Sequence, residues 1–107
     1  MFQKKPAPEF EYFTVHDTKT GSYREPVMAV NRHDLLREIS NIFNDPQKRL
    51  TSQYFLNAED FQIFKIGEYS KSTGVITPCQ PEHVANFHDL KSATLRAEIS
   101  RNAPVNA

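Results

Sequence analysis

Residues 10–30, FEYFTVHDTKTGSYREPVMAV, decide the fold class. From Phe10 to Asp17 the side chains alternate, with Phe10, Tyr12, Thr14 and His16 on one face of an extended chain and Glu11, Phe13, Val15 and Asp17 on the other. Aromatic and β-branched residues in that alternation predict a strand. Asp17-Thr18-Lys19-Thr20-Gly21-Ser22 reads as a turn in which Gly21 is free to take positive φ. Tyr23 to Val30 supplies the returning strand. Pro26 within it lacks an amide donor and belongs at a sheet edge or a bulge.

A second hairpin lies further along. Phe61 to Tyr69 carries Phe61, Ile63, Phe64, Ile66 and Tyr69, apolar on both sides, as expected of a central strand covered on both faces. Ser70-Lys71-Ser72-Thr73-Gly74 is its turn and Val75-Ile76-Thr77 its return. The two turns echo each other, Thr18-Lys19-Thr20-Gly21 against Lys71-Ser72-Thr73-Gly74, through either an internal duplication or, more simply, shared turn chemistry.

Between the hairpins Asn31 can cap a helix, and Leu35, Leu36, Ile39, Ile42 and Phe43 follow at helical spacing. Asp45-Pro46 ends it, because proline disfavours helical geometry in the residue before it. Residues 47–58 have no clear period. Pro78 and Pro81 break regular structure, and Glu82 to about Ser100 reads as a helix touching the core through Val84, Phe87, Leu90, Leu95 and Ile99. The predicted fold is α+β: two antiparallel β-hairpins joined by an amphipathic helix (ββαββ), with a C-terminal helix. Residues 1–9 are expected to form a flexible N-terminal arm, residues 10–100 a single α+β domain, and residues 101–107 a flexible tail.

The chain of 107 residues has room for one modest core, and its 8 Phe and 4 Tyr exclude a disordered tail. A domain this small has thin stability, so pairing into a homodimer is expected. The 13 Lys+Arg balance 13 Asp+Glu, which argues against a sequence-blind DNA coat but not against a local basic face. The single Cys79 allows no internal disulfide and fits a reducing cytoplasm. No run approaches the ~20 apolar residues of a membrane span, and the start, Met1 to Pro6, lacks the apolar run of a signal peptide.

Enzymatic chemistry finds little support, and no catalytic residue is assigned. His16, His33, His83 and His88 form no HExxH pair. Cys79 and His83 are four apart, but Pro81 between them argues against a helix, so no metal site is expected. The glycines at 21, 67 and 74 each fall in a hairpin and make no phosphate loop, and no cofactor is implied. Glu59-Asp60 beside Asn57 fits a turn or helix cap better than an acid–base pair.

Several of these segments together resemble the short non-structural protein of gokushoviruses, small icosahedral single-stranded-DNA phages of the microvirus group. The family's aromatic-Thr-aliphatic-x-Asp-x-Lys strand is matched by Phe13-Thr14-Val15-His16-Asp17-Thr18-Lys19, followed by Pro26. Its Asn-Asp-Pro helix end is matched by Asn44-Asp45-Pro46. Its last block is matched by Glu59-Asp60-Phe61, Phe64-Lys65-Ile66-Gly67 and Thr73-Gly74. Asn57-Ala58 replaces a frequent His-Pro, and Ser70-Lys71 replaces an acidic turn. The resemblance covers residues 12–77. It implies a protein of the host bacterial cytoplasm, absent from the virion, that binds DNA or controls the switch to single-stranded progeny synthesis. It assigns no functional residues.

The residues themselves offer two binding surfaces. Single-strand binding needs aromatic platforms for bases beside cations for the backbone. Tyr12, Phe13, Tyr23, Phe64 and Tyr69 on the strands, with Lys19, Arg24, Lys65 and Lys71 on or near the same hairpins, supply that mixture. The tyrosines are the better platforms, because most Phe of a small domain are core. Arg32, Arg37, Lys48 and Arg49 offer a second surface along the helix and its exit, although Asp34, Glu38 and Asp45 interleave with them, and Arg37 can pair with Asp34. The leading expectation is single-stranded DNA binding in genome replication. The alternative is a protein-interaction module that binds the phage replication initiator or a host replication factor without touching DNA.

Overall fold

The computed structural model describes residues 9–102. The expected arm over residues 1–8 and the tail over residues 103–107 lie outside them. The alternating stretch forms β1 (Phe10–Asp17), and the chain returns as two short pieces, β2 (Ser22–Tyr23) and β3 (Val27–Ala29). Pro26 sits in the break between them. Thr14 Oγ1 donates to the Arg24 carbonyl at 2.6 Å and the Arg24 amide donates to the Val15 carbonyl at 2.8 Å, which hold the break against β1.

Asn31 caps α1 (Arg32–Phe43), its side chain accepting from the Asp34 amide at 2.9 Å. At the other end Asn44-Asp45-Pro46 both stops one helix and starts the next. The Asp45 carboxylate accepts from the amides of Gln47 and Lys48, with Pro46 in the first turn of α2 (Pro46–Arg49). A short α3 (Gln53–Leu56) and a single 3-10 turn, Ala58–Asp60, complete the segment that had shown no period. Glu59 and Asp60 occupy that turn.

Then come β4 (Phe61–Tyr69), β5 (Ile76–Asn86) and α4 (Phe87–Asn102). The strands form one antiparallel five-stranded sheet in the order β2-β1-β4-β5, with β3 also on the outer side of β1. The expected helix from Glu82 is corrected here: residues 82–86 remain strand, and the helix begins at Phe87 and runs to Asn102, past the expected boundary at 100. Pro78 and Pro81 did not end the strand because β5 is the outermost one. Missing donors are tolerated there, and β5 absorbs its extra residues where its register with β4 shifts.

The core is Phe13, Phe43, Phe55, Ala58, Phe61, Ile63 and Phe87, with Leu35, Leu36, Ile39, Tyr54, Leu90 and Leu95 packed against it. Phe13 pairs with Lys65, Val15 with Ile63 and Asp17 with Phe61, so these residues share one face of the sheet. The helices pack on that face. The expectation that β4 is covered on both sides is therefore half met: it is central in the sheet, but its other face carries rings and, among the described residues, no helix.

Candidate nucleic-acid interface

Register determines which side chains share the helix-free face. Phe10 pairs with Tyr69, Thr14 with Phe64, His16 with both Gln62 and Tyr23, and Phe64 with His83. Two groups of rings result. The first crosses the whole sheet as Tyr23, His16, Phe64 and His83. Their centroids are 4.6 Å apart for His16–Tyr23, 5.8 Å for Tyr23–Phe64, 6.2 Å for His16–Phe64 and 5.5 Å for Phe64–His83. The second lies toward the β4–β5 turn, where Tyr69 meets both Phe10 and Tyr12 at 6.4 Å. Tyr23 is 50% exposed, His83 is exposed, and the other five rings are half-buried. Ring faces held in place by neighbours yet partly in water suit stacking on a planar ligand.

Local chemistry holds this face in position. In the β1–β2 turn the Asp17 carboxylate accepts from the Lys19 amide at 2.9 Å, and the Gly21 amide donates to the Asp17 carbonyl at 2.8 Å. The β4–β5 turn repeats the closure, the Gly74 amide donating to the Ser70 carbonyl at 2.8 Å. Both glycines have φ near +70°, where a side chain is disfavoured. Gly67 serves a different purpose. It lies opposite Tyr12, and a Cβ there would come within 2.9 Å of the Thr77 carbonyl oxygen.

The expected contact residues are only partly brought together. Tyr12, Tyr23, Phe64 and Tyr69 are on the ring face, whereas Phe13 is corrected: it alternates to the helix side and is fully buried in the core. Lys71 is beside it, its ammonium 4.8 Å from the Phe10 ring centroid. Lys19 stands at the tip of the β1–β2 turn, 76% exposed, 3.5 Å from an Asp60 carboxylate oxygen. Lys65 and Arg24 are on the helix side. Lys65 donates to Glu11 at 3.1 Å and Glu68 at 3.2 Å, with its side chain only 13% exposed. Burial pulls its pKa down, but the hydrogen bonds and charges of the two carboxylates outweigh that and raise it above the ordinary lysine value. The second Glu11 oxygen is buried without a hydrogen-bond partner among the described residues. Arg24 lies 4.9 Å from the Phe61 ring centroid and 5.4 Å from that of Tyr54, and within 3.8 Å of Asp17.

The four cations of the helical segment do not act as a free stripe. Arg32 pairs with Glu82 at 3.0 Å, Arg37 with Asp34 at 3.0 Å, and Arg49 with Glu98. Lys48 is exposed on α2. His16 and His83 join the ring face without being among the expected contact residues. The alternation of β1 already put His16 beside Tyr12, but His83 required knowing that β5 continues through its prolines.

Cys79 and His83 both lie on β5, and no group of three or more metal-ligating side chains occurs among the described residues. No helix among them is long and apolar enough to cross a membrane. An apolar cavity of about 210 Å³ lies on the helix side, between α1 and the β1–β3 edge, lined among others by Val15, Val27, Leu35, Ile39 and Ile42.

No curated protein and no solved structure matches the chain. A family model described as Phage ORF5 protein matches residues 10–90, a span that holds both turns, every strand and the whole ring face. The chain belongs to the phage ORF5 protein family.

Proposed function

We propose that this phage protein acts in viral genome replication by binding single-stranded DNA on the helix-free face of its sheet, without catalysis. One observation carries the reading: the ring row of Tyr23, His16, Phe64 and His83 spans four adjacent strands on a face that no helix among the described residues covers. An antiparallel sheet with helices behind it and aromatic rings in front is a known solution to single-strand recognition, because unpaired bases stack on rings regardless of sequence. The resemblance to gokushovirus non-structural proteins supports the same role in the shift to single-stranded progeny, in the host cytoplasm and outside the virion.

Fluorescence anisotropy with a labelled oligo-dT of ~30 nucleotides, several typical sites long, tests the reading against duplex DNA of equal length. Binding that prefers the single strand, and weakens at least tenfold when Tyr23 and Phe64 are both replaced by leucine, is the expected result. A folded protein that binds no single strand at low salt overturns it.

The pairing of most candidate cations with carboxylates favours a second reading, in which the protein binds the phage replication initiator or a host replication factor and leaves DNA alone. The apolar cavity beside the broken β2–β3 edge would accept one apolar side chain of such a partner. Binding to purified initiator that persists in high salt, together with silence in the anisotropy assay, would select this reading.

A further inference from the structure

We infer that the ring face takes a single strand lengthwise along β1, with bases on two separate platforms and phosphates gripped at the two hairpin tips. This rests on the single-strand reading above and specifies how that site would work. The first platform is the Tyr23–His16–Phe64–His83 row; the second is the Phe10–Tyr12–Tyr69 group. Along β1 the two are separated by four residue steps, Tyr12 to His16, about 13 Å at ~3.3 Å per residue. That is the length of about four stacked nucleotides at ~3.4 Å each, and fewer if the strand is extended. The full strand, Phe10–Asp17, gives a path of about 26 Å.

Among the described residues, the cations near this path sit at its ends. Lys19 projects from the β1–β2 turn, mostly exposed with a single 3.5 Å carboxylate neighbour. Lys71 projects from the β4–β5 turn over the Phe10 ring, its ammonium in no ion pair among the described residues while its backbone amide donates to the Glu9 carboxylate at 3.0 Å. Lys65 and Arg24, which neighbour these strands in sequence, point to the other face and are held by carboxylates. Two phosphate contacts on a single strand correspond to a slope of about −1.4 in log K against log salt. Most of the affinity would therefore be salt-independent stacking, which explains how a chain with zero net charge binds a polyanion.

The test is an oligo-dT length series from 3 to 16 nucleotides, spanning the usual range for such sites, measured with wild-type protein at several salt concentrations. Affinity is expected to rise up to roughly six to eight nucleotides and then level off, with a salt slope between about −1 and −2. Lys19→Gln with Lys71→Gln should flatten the slope toward zero. Tyr12→Leu with Tyr69→Leu should bring the plateau down to about four nucleotides or fewer. A wild-type plateau already at three or four nucleotides, or a slope steeper than about −4, would overturn the two-platform arrangement while leaving the ring-face reading in place. Absence of binding at every length would overturn both.

Discussion

Two phenylalanines on the neighbouring strands β1 and β4 have opposite fates. Phe13 is fully buried in the core, whereas Phe64 faces partly into water among His16, Tyr23 and His83. Phe13→Ala should cost about 3–5 kcal/mol, enough to unfold much of a small domain. Phe64→Ala should cost far less stability yet weaken the proposed single-strand binding; urea melts beside anisotropy separate the two effects. Gly67→Ala forces a methyl toward the Thr77 carbonyl oxygen and should destabilise by about 1–3 kcal/mol, read as a lower urea midpoint. Lys65 predicts an alkaline effect with a definite sign. Its pKa is raised in the folded state, so the stability it contributes is complete below the ordinary lysine value of 10.5 and is lost as pH climbs through the higher folded value. Lys65→Met, which leaves Glu11 and Glu68 unpaired, should be less stable than wild type at pH 9. The gap should narrow when both are melted near pH 11.

At the level of elements, side chains that act locally were the legible ones. Asn31, Asp17 and Asp45 each bond to backbone amides two or three residues on, so their effect is written within a few positions. The α+β class, β1 with its two faces, the amphipathic helix and both turns followed from such signals. The path of β5 did not. Pro78 and Pro81 break most strands, and only their place on an outermost strand, which depends on the order of the sheet, makes them tolerable. For the same reason His83 was invisible as a ring-face residue, and the opposite facing of Lys65 could not be read before the strands were paired. The α1–α2 junction tests the local part of this account. Asp45→Ala removes the acceptor for two amides and should cost about 0.5–2 kcal/mol, whereas Asp45→Asn or Asp45→Ser should restore most of it in the same thermal melt.

For the molecule as a whole, the unresolved demand is the long outer edge of β5. All residues from Ile76 to His83 are exposed, and beside them Val75 and Ile76 are each more than half exposed. An outer strand of this length presents unpaired backbone groups to any other chain in solution, the usual route to edge-to-edge association. Two features of this chain oppose it. Pro78 and Pro81 remove donors from the edge, and the irregular register with β4 bends it away from the flat geometry that a second edge needs. The same prolines that interrupt the sequence pattern of β5 thus remove donors from its outer edge. Replacing both, Pro78→Val with Pro81→Thr, leaves the core untouched but supplies the missing donors in a β-prone segment. Sedimentation velocity across a concentration series should then show larger species than wild type forms at the same concentrations, and the single replacements should show an intermediate shift. Identical profiles for the wild type and the double variant would mean that the bulged register alone guards the edge, and a further variant trimming the extra residues between Thr77 and Glu82 would then be needed to open it.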